Sequence, residues 1–336
     1  MIFKNKKTVI IAEVGINHNG SFSKVKKLIK VAKQCGADFV KFQIFKAENV
    51  TTKYAKKSNY QKKNKGDTGS QYEMIKRYEF DYTFFKKIKI ECKKNKINFL
   101  CSPFDIESLK YLKNLGEKII KIPSGEITNY PLLREIGMMR KKVILSTGMS
   151  NLIEIKNALK TILNFGVKKK DIALLHCVTS YPAPFSSLNL KSINLLKKKF
   201  RIEVGFSDHS PGIEASIAAV ALGARIIEKH LTISKKLIGP DHKSSLDPKE
   251  FELLVSSIRN VEKSLKFSKK KIQKCEVENI QIVRKSIVAK NIIKKGDLFN
   301  ENNLTTKRPG SGINPMNWNK YIGKKSKKNY IEDELL

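Results

Sequence analysis

With 336 residues, 40% of them hydrophobic, the chain is long enough for a sizeable core and suits two domains or one α/β barrel with an appendage. Five cysteines without a C-x-x-C pair exclude a disulfide framework and point to a reducing cytoplasm. A net charge of +36 raises nucleic acid as a partner, but the lysines lie along every predicted helix without aromatic interleaving or zinc-finger spacing. They read as solvated faces, and no nucleic-acid partner is expected.

The N-terminal "MIFKNKKTVIIAEVG" resembles a signal peptide only until Glu13 breaks its apolar run. No stretch approaches the roughly 18 unbroken apolar residues of a membrane span, so a soluble cytoplasmic protein without a membrane partner is expected. Eight short apolar runs then follow in order: "TVIIAEVG", "FVKFQI", "INFLCSPF", "IIKIPSG", "KVILSTGM", "IALLHCV", "RIEVGFSDH" and "RIIEKHLT". Stretches of helical period separate them, such as "SFSKVKKLIKVAKQCGA" and "NLIEIKNALKTILNFG". Strand–helix alternation predicts a parallel sheet, and eight units predict a closed (β/α)8 TIM barrel. No G-x-G-x-x-G follows the first run, so no nucleotide cofactor is expected.

Each run turns polar at its C-terminal end. The ends offer Glu13, then Lys41 and Gln43, Ser102, and Lys121 with Ser124 and Glu126. Ser146 and Thr147, His176, Ser207 with Asp208 and His209, and Glu228 with Lys229 and His230 follow. In a barrel all these ends meet at one rim, where active sites are built. Lys41 and Lys121, with Ser102, Ser124 and Ser207, suit a phosphate or carboxylate. His209 and His230 close neighbouring strands, which leaves two readings open: a shared divalent metal, or two hydrogen-bonded rim histidines. His18 reads as a turn residue, and Cys101 and Cys177 as barrel packing rather than nucleophiles.

The barrel is predicted to span 1–265, followed by a charged linker over 266–282. Short alternating runs with turn signals at "KKGD" and "NENN" then predict a small, mostly β domain over 283–336. Trp318 and Tyr321 are expected in its core. Arg308, in "KRPGSG", is either a solvated charge beside a turn or an anion-binding group.

The motifs "IAEVGINHNG", "VKFQ", "KIPSGE", "LSTGM", "LHCVTSYPAPF", "GFSDH", "IEKHLT", "GPDHKSSLDP" and "NLTTKRPGSGI" together resemble the bacterial N-acetylneuraminate (sialic acid) synthase family, which includes N,N'-diacetyllegionaminate synthases. The resemblance covers nearly the whole chain, and the tail resembles the SAF, or antifreeze-like, domain of those enzymes. It implies condensation of phosphoenolpyruvate with an N-acylated mannosamine-type aldose, giving a nine-carbon 2-keto sugar acid and phosphate by C–O cleavage. It also implies a divalent metal on His209 and His230, most often manganese, with magnesium or cobalt as alternatives. Lys41, Ser102, Lys121, Ser124, Thr179 and Ser207 would hold phosphoenolpyruvate. Glu13, Gln43, Tyr181, Asp241 and Arg308 would address the sugar, Arg308 reaching it across a domain-swapped homodimer. Glu13, Glu126 and Lys121 are the catalytic candidates. Thr179 departs from the asparagine usual in sialic acid synthases, which keeps N-acetylneuraminate and N,N'-diacetyllegionaminate together as expected products, with pseudaminate behind.

Two rivals come from other classes. A Schiff-base aldolase would use Lys121 or Lys41 as nucleophile. A carbohydrate- or nucleic-acid-binding module would explain the charge and lose affinity steeply with salt. Neither accounts for polar strand ends together with both histidines.

Overall fold

The computed structural model describes residues 7–57, 69–267 and 269–336. They form two compact units, the first ending at Lys266 and the second running from Phe267 to Leu336.

The first unit holds eight strands: β1 (Val9–Gly15), β2 (Phe39–Ile44), β3 (Asn98–Pro103), β4 (Ile119–Ile122), β5 (Lys142–Ser146), β6 (Ile172–Cys177), β7 (Glu203–Asp208) and β8 (Ile226–His230). Their order is β3-β2-β1-β8-β7-β6-β5-β4, every hydrogen-bonded pair is parallel, and β3 lies beside β4 to close the ring. This is the expected TIM barrel. Helices start where a polar side chain can take the unpaired backbone N–H groups of a first turn. Ser21, Asp105, Asn151 and Asp247 do so ahead of the helices Phe22–Gln34, Ile106–Asn114, Leu152–Asn164 and Pro248–Ser264.

Strand side chains alternate between two faces. Ile11, Leu100, Ile144, Leu175 and Ile226 fill the barrel interior. Their neighbours Ile10, Phe99, Val143, Leu174 and Ile227 pack outward in the larger core under the helices. Parity therefore divides the polar strand ends. Two residues beyond the interior layer come Glu13, Ser102, Ser146, Cys177 and Glu228, and then His230 after Glu228.

The residues of opposite parity do not reach the site, which corrects the expectation that every polar end faces one rim. His176 donates through Nε2 to the Leu188 carbonyl at 2.6 Å and stacks on Phe206. Thr147 donates its hydroxyl to the Leu175 carbonyl at 2.9 Å. Asp208 and Lys229 form a buried ion pair at 2.9 Å. Asp208 also accepts from the Ser210 amide and from the Ser210 and Ser216 hydroxyls, while Lys229 donates to the Ser210 carbonyl. That pair joins β7 to β8 behind the two histidines.

In the second unit, β9 (Ser286–Ala289) pairs antiparallel with β10 (Leu304–Lys307). Ile287, Ala289, Ile293, Phe299 and Leu304 make its core, and Trp318 and Tyr321 pack against it as expected. Among the described residues, no helix is long and apolar enough to cross a membrane.

Replacing Lys229 by Ala strands a fully buried carboxylate, and the expected loss is about 3–5 kcal/mol of unfolding free energy in urea titration. A loss below about 1 kcal/mol would show that the pair does not hold β7 to β8.

Candidate active site

One carboxylate oxygen organises the floor of the site. Glu228 Oε1 lies 3.2 Å from Lys41 Nζ and 3.5 Å from Lys121 Nζ, and it accepts from the Ser207 hydroxyl at 3.0 Å. Lys41 also meets Glu13 at 3.1 Å and Ser102 at 3.5 Å, while Lys121 donates to Ser146 at 2.8 Å. All seven side chains are buried. The register explains the meeting: Glu13 pairs with Lys41 across β1 and β2, and Ser207 with Glu228 across β7 and β8.

Burial sets the titration of these groups against their neighbours. Burial raises Glu13 to about 7, against the attraction of Lys41. Burial would raise Glu228 too, but Lys121 and Lys41 outweigh it and hold it at about 2. Burial opposes the charge on Lys41, yet Glu13 and Glu228 prevail and lift it above the ordinary lysine value. Lys121 is lowered to about 8 by burial, helped by Lys41 and resisted by Glu228.

Two glycines mark where backbone and side chains converge. A β-carbon at Gly148 would lie 2.3 Å from the Thr179 hydroxyl, 2.9 Å from that of Ser124 and 3.2 Å from Cys177 Sγ. The Gly148 amide donates to Ser124 at 3.0 Å, and Thr179 Oγ1 is buried with no hydrogen-bond partner among the described residues. At Gly15, with φ at +52°, a β-carbon would meet Glu13 Oε1 at 3.1 Å, Gln43 Nε2 at 3.4 Å and Asp241 Oδ2 at 3.7 Å. Gln43 donates to Glu13 Oε1 at 3.1 Å. Burial raises Asp241 to about 6, with His209 opposing.

His209 and His230 stand between these clusters with ring centroids 5.5 Å apart, and the Tyr181 ring lies 4.2 Å from His209. His209 Nδ1 donates to the Val178 carbonyl at 2.8 Å, which fixes the tautomer and leaves Nε2 with a lone pair. His230 Nδ1 is buried with no hydrogen-bond partner among the described residues, the Asp241 carboxylate being 3.9 Å away. Burial lowers His230 well below the ordinary histidine range, so its imidazole is neutral. Burial would lower His209 as well, but the neighbouring Cys177 and the Val178 carbonyl outweigh it and raise its titration. Two imidazoles at this spacing suit a divalent metal. Among the described residues no group of three or more His, Cys, Asp or Glu is arranged to hold one.

These groups line a cavity of about 310 Å³ built from the first unit. Of the residues expected from sequence, Glu13, Lys41, Gln43, Lys121, Ser124, Thr179, Tyr181, Ser207, His209, His230 and Asp241 are on its wall. Ser102 is fully buried behind Lys41. Glu126 turns its carboxylate to Asn129 Nδ2 at 2.7 Å, and burial raises its titration. Arg308 belongs to the second unit, where it is exposed and its Nε donates to the Val283 carbonyl at 3.0 Å. The sequence placed Glu228 and Ser146 at the rim without a role and Cys177 in the barrel packing, and all three line the cavity. His18, buried, accepts from the Gly20 amide within its own turn, as expected.

Residues 28–270 match the NeuB family and residues 284–336 the SAF domain. The chain is 53% identical to the N,N'-diacetyllegionaminic acid synthase of Campylobacter jejuni, covering 98% of this chain and 99% of that one. It is 40% identical to the Legionella pneumophila enzyme of the same name, covering 94% and 89%. The human N-acetylneuraminate-9-phosphate synthase is 32% identical over 97% of this chain and 90% of its own. Among solved structures, the N-acetylneuraminic acid synthetase of Leptospira borgpetersenii, in complex with citrate, superposes with a TM-score of 0.71 at 35% identity, covering 82% of this chain and 90% of that one. A barrel with paired rim lysines and rim histidines, followed by a small β unit, is thus matched along its length, and the chain belongs to the NeuB family.

Proposed function

We propose that the chain condenses phosphoenolpyruvate with 2,4-diacetamido-2,4,6-trideoxymannose, giving N,N'-diacetyllegionaminate and phosphate in a divalent-metal-dependent reaction. The observation that carries this reading is the joining, in one cavity, of two ammonium groups, a hydroxyl cluster and a pair of imidazoles. Among related synthases, the two named for legionaminic acid are more similar to this chain than the pseudaminic acid synthase of Campylobacter jejuni, at 35% identity, which favours the trideoxy acceptor.

Lys41 and Lys121, with Ser124, Ser207 and the Thr179 hydroxyl, bind the carboxylate and phosphate of phosphoenolpyruvate. His209 and His230 would hold the metal, with manganese first and magnesium or cobalt as alternatives. When bound, the ion polarises the aldehyde oxygen of the acceptor as a Lewis acid. Gln43, Tyr181 and Asp241 orient the open-chain sugar so that its C1 faces C3 of the enol phosphate. The new C–C bond forms from the enol electrons, leaving cationic character at C2. Glu13, near neutrality in its titration, delivers the proton that turns the aldehyde oxygen into a hydroxyl. Water adds at C2 and gives a proton back to the Glu13 carboxylate, and the tetrahedral carbon expels phosphate, which carries off the remaining hydroxyl proton as the ketone forms. Glu126 is held by Asn129, so Glu13 takes the proton-transfer role in this scheme.

The direct test is phosphate release from phosphoenolpyruvate with manganese, with and without chelator, using the trideoxy sugar and N-acetylmannosamine as acceptors. Chelator-sensitive release with the trideoxy sugar is expected, and chelator-insensitive release would remove the metal from the mechanism. His209→Ala and His230→Ala should each lower kcat at least 100-fold and weaken manganese binding in calorimetry while the protein stays folded. Near-normal turnover by either variant would exclude the ligand role.

Lys121 is charged below its pKa, so kcat/KM for phosphoenolpyruvate should fall as pH rises through about 8. Lys121→Arg stays charged in that range and should lose this alkaline limb even if its activity is low. An unchanged limb in the variant would assign it to another group.

A further inference from the structure

The cavity has a wall that this chemistry does not use. Beyond Gln43 and Ser102, the segments after β2 and β3 bring Phe45, Val50 and Phe104 to the lining, and the helix Gln71–Tyr78 adds Met74, Ile75 and Tyr78. Phe45 and Phe104 meet edge to face at 6.1 Å. Phe45 and Met74 are buried, while Val50, Ile75 and Phe104 are half-buried. Apart from the hydroxyl of Tyr78 at the end of the helix, none of these side chains carries a strong hydrogen-bonding group.

The wall is fixed in place. Ser70 and Glu73 form a reciprocal cap at the start of the helix. At its end, Glu79 accepts from the Ala47 amide at 2.9 Å and pairs with Lys46 at 3.3 Å and Lys76 at 2.9 Å. The helix is thereby tied to the loop after β2, and the apolar surface is formed before any ligand arrives.

We propose that this wall determines acceptor specificity by seating the C6 end of the sugar, favouring a methyl group there over a hydroxymethyl. The inference rests on the proposed condensation, which holds C1 of the acceptor at the histidines and leaves the far end of the carbon chain to the remaining wall. A C6 hydroxyl against Val50, Ile75 and Phe104 gives up water and gains no partner, whereas a methyl gains apolar contact. An apolar pocket rejects an added hydroxyl by at most about 100-fold, so the preference is a ratio rather than exclusion.

The test compares kcat/KM for N-acetylmannosamine and its 6-deoxy analogue, two sugars that differ by one oxygen, with phosphoenolpyruvate and manganese. The wild-type chain should prefer the 6-deoxy sugar by about 10-fold to 100-fold. Ile75→Ser, on a half-buried helix position, and Val50→Thr, which keeps the side chain's shape, should each reduce that ratio several-fold. Both should leave KM for phosphoenolpyruvate unchanged. Equal use of the two sugars by the wild type would overturn the proposal and leave the condensation standing. A wild-type preference undiminished in both variants would do the same. Turnover of neither sugar, nor of 2,4-diacetamido-2,4,6-trideoxymannose, would overturn the condensation and the proposal together.

Discussion

The active-site floor depends on a single buried carboxylate. Without Glu228, two ammonium groups and a hydroxyl would point into the closed barrel with no common acceptor, and burying like charges together would drive a lysine to neutrality. With it, Lys41 and Lys121 stand on either side of one oxygen and remain a cationic pair facing the cavity. The same residue ties β8 to β7 through Ser207 and to β2 through Lys41. His230 follows two positions later, on the same face, so placing Glu228 also places that imidazole.

Much of this was legible in the sequence because a barrel imposes a simple rule. Eight apolar runs ending in polar residues identify the rim, and two histidines closing adjacent runs identify a place where two rings can meet. The rule has a second half, a period of two, and ignoring it mixed two populations. His176, Thr147, Asp208 and Lys229 sit at strand ends yet point under the helices, where they close backbone and ion-pair contacts. Counting back two residues from His230 separates Glu228 from Lys229, and counting on two from Ile144 separates Ser146 from Thr147. Glu126 illustrates a different limit. It follows the strand in a short turn, where alternation no longer applies and a neighbouring asparagine decides the direction of its carboxylate.

The titration of the site shows why composition was a poor guide to its chemistry. The chain carries +36, yet its catalytic floor is balanced, with two lysines against two glutamates. Most of the surplus lysines among the described residues lie exposed on helix and loop surfaces, where water solvates them. What distinguishes Lys41 and Lys121 is burial together with a shared counter-ion, a property of three-dimensional register that no count of charges contains.

That balance bears on the departure of product. The barrel already holds an anion of its own among the lysines, so in the proposed condensation phosphoenolpyruvate would bind by exchange: each phosphate or carboxylate oxygen placed on Lys41 or Lys121 would compete with Glu228. When inorganic phosphate is left behind after bond cleavage, the tethered carboxylate is still within reach to reclaim both cations. In that scheme a polyanion between two buried lysines would meet a permanent rival for its own binding site, and both cations would regain a partner without help from solvent ions.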